Sequence, residues 1–301
     1  MRKLFLFLGI LAAFYALSSC SDDEVSDSFE SPPSVLGVSR AMTVDELTDQ
    51  LRLYDRDIGL AYSDAPFKSL KPVTFTTKDK IKIALADVKG GLRGAGGGVP
   101  GVIVGAAVQS LIKAAEIYAW KNLKALVGDA VRNNLVLGNG SFSFADSVGY
   151  YHNAVEACMY EINSSSHLMT SYSLIGRADL LMRHFSSGYA EEGGLGTAEK
   201  KAIAERIENV RNIADDNLSF DAYLGRLKAE TPEDAGYLDF AAEYLYTVFY
   251  ANVDLEEYTG EVVLMIKNSN IDIDDSSLLY KCIQIAHASV VYARNTTLTE
   301  N

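Results

Sequence analysis

Apolar residues recur at helical spacing along most of the chain. Leu47, Leu51, Tyr54, Ile58 and Tyr62 stand three or four positions apart, which predicts a helix from about Met42 onward. Thr43-Val44-Asp45-Glu46 has the spacing of a capping box, a hydroxyl and a carboxylate placed to satisfy amide donors that a first helical turn leaves open. A second segment runs through Ile81, Ile83 and Leu85, with Thr76-Thr77 to cap it, and is expected to stop at Gly90-Gly91. A third has Pro100 in its first turn and runs to Gly128. Further helices are predicted over 146–163, 173–186, 197–215, 219–229 and 254–268. Thr231-Pro232-Glu233-Asp234 reads as an N-cap, a proline at the first helical position and acids facing a positive dipole end. Asp274-Asp275-Ser276 opens a last helix, to about Arg294. Only 73–75 and 135–144 carry strand or hairpin character, and no repeat of solenoid length recurs. The pattern predicts an all-α fold over 42–301, a single irregular bundle of about eight to ten helices around a central apolar helix flanked by glycines.

The first forty residues follow other rules. Met1-Arg2-Lys3 is basic, and Leu4 to Leu17 is an apolar run too short for a comfortable bilayer span but suited to a signal peptide. It ends in Leu17-Ser18-Ser19-Cys20, which resembles a bacterial lipobox. That resemblance implies removal of 1–19 and lipid, palmitate among it, on Cys20. Several acyl chains anchor firmly, because each buried methylene contributes about 0.8 kcal/mol and one chain alone is marginal. Ser21, Asp22, Asp23 and Glu24 resemble the acidic export signal of Bacteroidota lipoproteins, which implies an outer-membrane protein on the cell surface, with the periplasmic face as the alternative. The rest of 20–41 is rich in Ser, Asp, Glu and Pro and reads as a flexible stalk.

Composition narrows the choice of partner. Among 301 residues, 27 Lys+Arg stand against 40 Asp+Glu, a net charge of −13, which disfavours binding to nucleic acid. With 48% hydrophobic and 22% charged residues, the chain has globular composition. Three cysteines are too few for a disulfide scaffold or a four-thiolate zinc site.

Several motifs compete for a chemical reading. Gly96-Gly97-Gly98-Val99-Pro100-Gly101 satisfies G-x-G-x-x-G, but a dinucleotide site needs a strand before it, and the segment here reads as helix. Val99 to Ile112 is almost wholly apolar, broken only by Gln109 and Ser110. Gly94, Gly98, Gly101 and Gly105 could let helices approach closely in a bilayer, which makes 90–112 a membrane-active candidate; the other reading is a core helix surrounded by its neighbours. His152 and Glu156 are four apart and could approach one ligand, but zinc needs at least three protein ligands and no H-E-x-x-H occurs, so no metal or cofactor is expected. Cys158 and Cys282 lie on apolar stripes, where pairing and burial as free thiols are both open. A Cys–His nucleophilic pair with His152 or His287 has no local support. The carboxylates of Asp272, Asp274 and Asp275 lack the glycine and glutamate of a calcium loop and fit helix capping better. Tyr237, Phe240, Tyr244, Tyr246, Phe249, Tyr250 and Tyr258 occupy more than one helical face, which favours core packing over a sugar-stacking surface.

Three stretches together resemble an uncharacterised group of exported Bacteroidota proteins: Ala86 to Gly105, Asp146 to Asn153, and Ile266 to Tyr292. The resemblance implies export and a helical fold, with no activity attached. The positions that match its D-x-x-G-x-x-H-N motif are Asp146, Gly149, His152 and Asn153. The reading expected from all of this is a lipid-anchored binding module for a protein or glycan. A membrane-active antagonism factor comes second, and a hydrolase using Asp146, His152 and Glu156 third.

Overall fold

The structure, a computed structural model, describes residues 40–57, 77–118, 147–163, 170–191, 193–211, 219–251 and 253–295. All but Arg40 belong to the second of two units, Ala41–Asn301. The described residues contain no strand; a lone parallel bridge joins Met42 to Ile271. The helices are α1 (Val44–Asp57), α2 (Thr77–Gly94), α3 (Gly98–Tyr118), α4 (Ser147–Asn163), α5 (Ser171–Phe185), α6 (Ser187–Glu191), α7 (Thr197–Arg211), α8 (Phe220–Glu230), α9 (Ala235–Tyr250), α10 (Leu255–Asn268) and α11 (Ile273–Asn295). The all-α expectation holds. The strand-like stretches 73–75 and 135–144, the leader, the stalk as far as residue 39, Ile58, Tyr62, Thr76, Asp146 and the expected helix ends 119–128 and 212–215 lie outside the described residues.

The centre of the fold is an antiparallel hairpin of α2 and α3. A 3-10 turn, Ala95–Gly97, joins them, and Gly98 takes φ +66°, a left-handed conformation that most side chains resist. The helices then approach backbone to backbone. A Cβ on Gly94 would lie 1.9 Å from the Gly101 carbonyl oxygen, and one on Gly105 would lie 2.2 Å from that of Gly90. This corrects the expected stop at Gly90-Gly91. Those glycines stay helical, because their missing side chains make room for the partner helix. Glycine costs about 1 kcal/mol in a helix interior, and here the packing of the hairpin offsets it.

Around the hairpin, α11 packs on α2, α4 and α9, while α4 and α5 cover α3. In α3, Val102 to Val108, Leu111 and Ile112 are all buried, so the apolar run is enclosed by its neighbours as a core helix. The aromatic group divides. Phe240, Tyr244 and Tyr258 are buried, with Tyr244 stacked on Tyr258 at 5.9 Å between centroids, whereas Tyr246 is exposed.

Helix ends follow local chemistry. The Thr43 amide donates to Glu46 Oε2 at 2.8 Å and the Glu46 amide donates to Thr43 Oγ1 at 3.2 Å, completing the capping box. Asp272 Oδ1 accepts from the Asp274 amide at the start of α11, as the capping reading requires. Thr231 departs from expectation. Its hydroxyl donates to the Leu227 carbonyl, closing the end of α8, and Pro232–Asp234 forms a 3-10 turn before α9. Asp254 caps α10, its Oδ1 accepting from the amides of Glu256 and Glu257 at 3.0 and 2.9 Å. Asp254→Ala is expected to cost about 1 kcal/mol in denaturant unfolding, with the slope unchanged.

Candidate functional site

Polar residues meet inside the core where α2, α3, α4 and α11 converge. Asp87 comes from α2 and Ser110 from α3; His152, Asn153, Glu156 and Tyr160 come from α4, and Ser289 and Tyr292 from α11. Asp87, Ser110 and His152 have no exposed surface at all, and Glu156 has 2%. Gly149 admits α11 to α4: a Cβ there would meet that of Ala288 at 3.1 Å. The Ala288 carbonyl accepts from Asn153 Nδ2 at 3.1 Å. That bond turns the Asn153 side-chain oxygen toward His152, where Oδ1 and Nδ1 lie 3.0 Å apart. With the Asn153 oxygen as acceptor, Nδ1 is the donor of this bond, and Nε2 is the ring nitrogen left without a partner.

The two carboxyls are held in a similar way. Ser289 Oγ reaches Asp87 Oδ2 at 2.5 Å and the Ile285 carbonyl at 2.8 Å. Glu156 Oε1 accepts from the Tyr160 hydroxyl at 2.7 Å and from Ser110 Oγ. The other atom of each group, Asp87 Oδ1, His152 Nε2 and Glu156 Oε2, is buried without a hydrogen-bond partner. His152 Nε2 stands 3.9 Å from Asp87 Oδ2, and Nδ1 stands 3.9 Å from Glu156 Oε2. One donor atom from each of the three residues falls within 4.8 Å of the others.

Burial first, and then the charge of Glu156, push the Asp87 carboxyl well above the ordinary range, against the hydroxyls of Ser289 and Ser110. The same burial and the nearby carboxylates raise Tyr160 and Tyr292, so both phenols stay neutral. Two carboxyls this close and this dry do not both ionise unless a positive charge joins them. The centre therefore suits a proton or a cation.

Lys89 presents the reverse situation. Two positions along α2 from Asp87, it is fully buried with no hydrogen-bond partner for Nζ, and burial, with Arg93 and Lys113 adding to it, lowers its pKa to about 7. Lys113 Nζ sits 4.4 Å over the Tyr223 ring, with Lys82 Nζ at 5.5 Å from the same centroid. Elsewhere, no disulfide joins Cys158 and Cys282, and burial keeps the Cys282 thiol protonated.

Of the residues singled out in the sequence, the structure joins His152, Asn153 and Glu156 and gives Gly149 a packing role. Gly94, Gly101 and Gly105 form the hairpin contact and Gly98 its turn, so their spacing serves packing inside the body. Asp87, Ser110, Tyr160, Ser289 and Tyr292 were missed. Asp87 could have been found as the one acid within the apolar stretch Ile83–Val88, and Ser110 as a break in the apolar run of α3. Compared with protein-family models, curated proteins and solved structures, the chain matches none.

Proposed function

We propose that the protein is an outer-membrane lipoprotein, displayed on the cell surface, that binds a protein or glycan through the outside of its helical body. The observation that carries this reading is Leu17-Ser18-Ser19-Cys20 at the end of a basic and then apolar leader, followed by Ser21-Asp22-Asp23-Glu24. Acyl chains on Cys20 hold the protein at the membrane, and the acidic stalk holds the body away from it. On the body, Tyr246 is exposed between Phe220 and Tyr250, with ring centroids 6.3 and 4.7 Å away, a group of faces on which a sugar ring can stack.

Cys20→Ser is expected to release the protein from the membrane fraction and to abolish fatty-acid labelling of the chain. Protease added to intact cells is expected to remove the wild-type body. Labelling that survives the substitution would overturn the anchor, and full protection from protease would overturn surface display. For the binding half, a glycan and protein array is read with Tyr246→Ala beside wild type; a signal that weakens on substitution supports this face.

The membrane-active reading has one feature in its favour. Thr77–Ile117 is long and apolar enough to cross a membrane, though 67% of its most apolar window is buried in the fold. Insertion would take α2 and α3 out of the centre of the core and expose Asp87, Lys89 and Lys113 to lipid. The wild-type protein is expected to release no dye from liposomes.

A further inference from the structure

We infer that Asp87, His152 and Glu156 form a binding site for one divalent transition-metal cation of the zinc, manganese or iron class. The inference is independent of where the protein is displayed and of what its surface binds. It rests on how the three side chains are divided. Each has one polar atom tied to a neighbour and one left over. Asp87 Oδ2 is held by Ser289, His152 Nδ1 by Asn153, and Glu156 Oε1 by Ser110 and Tyr160. The remaining atoms, Oδ1, Nε2 and Oε2, are buried and have no hydrogen-bond partner. Metal ligands are commonly built in this way: an outer partner fixes tautomer and orientation while the inner lone pair faces the ion.

Charge and ligand type agree. Two carboxylates and a neutral imidazole carry two negative charges that a divalent ion cancels, where protonation of Asp87 alone leaves three buried acceptors with a single hydrogen to share. One nitrogen and two oxygens suit zinc, manganese or iron better than calcium, which takes six to eight oxygens. Bonds of about 2.0–2.2 Å place two donors on one metal at most about 4.4 Å apart; the three residues each offer a ligand atom within 4.8 Å of the others, so loading would draw in any pair beyond that limit. A water or a neighbouring hydroxyl would complete the coordination.

The test uses the full-length protein in detergent, stripped with a chelator and titrated calorimetrically with Zn²⁺ and, separately, with Mn²⁺. The expected result is one ion per chain for at least one of these metals, accompanied by a rise in melting temperature. His152→Gln is expected to abolish that rise, and Asn153→Ser to weaken affinity about 10–100-fold with the stoichiometry kept. Far-ultraviolet circular dichroism checks that each variant is folded. If His152→Gln does not fold, Asn153→Ser carries the comparison. Absence of binding by the wild-type protein, together with no metal in protein purified without chelator, would overturn the inference. So would binding that both folded variants leave unchanged, because the ion would then sit on the acidic surface.

Discussion

Gly105→Ala is expected to destabilise the protein on the order of 3–5 kcal/mol, enough to leave little folded protein at 37 °C. In most helices the same change would help, because alanine gains about 1 kcal/mol over glycine. Here the added carbon would stand 2.2 Å from the Gly90 oxygen and 3.1 Å from its carbonyl carbon. Those are backbone atoms of α2, which no rotamer change can move. Relief requires α2 and α3 to separate by roughly 1 Å, and dispersion contacts along the hairpin fall off over that distance. Gly176 is the control. It lies inside α5, where a Cβ would find nothing within 4 Å, so Gly176→Ala is expected to raise stability by about 0.5–1 kcal/mol. Chemical denaturation of the two variants tests the sign of each.

The second large effect concerns Lys89, whose replacement by methionine is expected to stabilise the fold by about 3–4 kcal/mol at pH 7. Its pKa falls from 10.5 in the free side chain to about 7 in the fold, chiefly through burial and then through Arg93, with Lys113 adding to it and Asp234 and Glu230 opposing it. Between those two values the unfolded chain holds a proton that the folded chain has lost, so this site favours unfolding. The penalty is absent above pH 10.5, grows as pH falls through the window, and is complete below about pH 7. Methionine has a similar length, carries no charge and tolerates irregular packing. The difference in stability between Lys89→Met and wild type should therefore shrink steadily from pH 7 to pH 10. A flat difference would mean that Lys89 is not driven neutral by its surroundings.

Much of the fold was legible because local chemistry and burial point the same way. Thr43 and Glu46 form the capping box that their spacing promised, and the apolar run of α3 is a core helix. Gly90 and Gly91 misled because glycine is a common residue at helix ends, and nothing local reveals that α3 will lie against them. Thr231 misled in a related way. Its hydroxyl has two possible clients, the helix before and the helix after, and the structure gives it to the Leu227 carbonyl. The candidate site was half visible. His152 and Glu156 share a helical face, which spacing alone reveals. Asp87 and Ser289 come from distant parts of the chain and meet them only because the glycine hairpin and Gly149 let four helices crowd together. A close approach of this kind leaves no periodic trace in the sequence.

The enclosed hairpin is the premise of the candidate site and of the predictions for Gly105 and Lys89, and hydrogen–deuterium exchange of the full-length protein, with and without lipid vesicles, tests it most directly. Amides from Val102 to Ala115 are expected among the slowest in the chain, with rates unchanged when vesicles are added. Rapid exchange there in the free protein, or a change in protection across α2 and α3 on adding vesicles, would contradict a closed core.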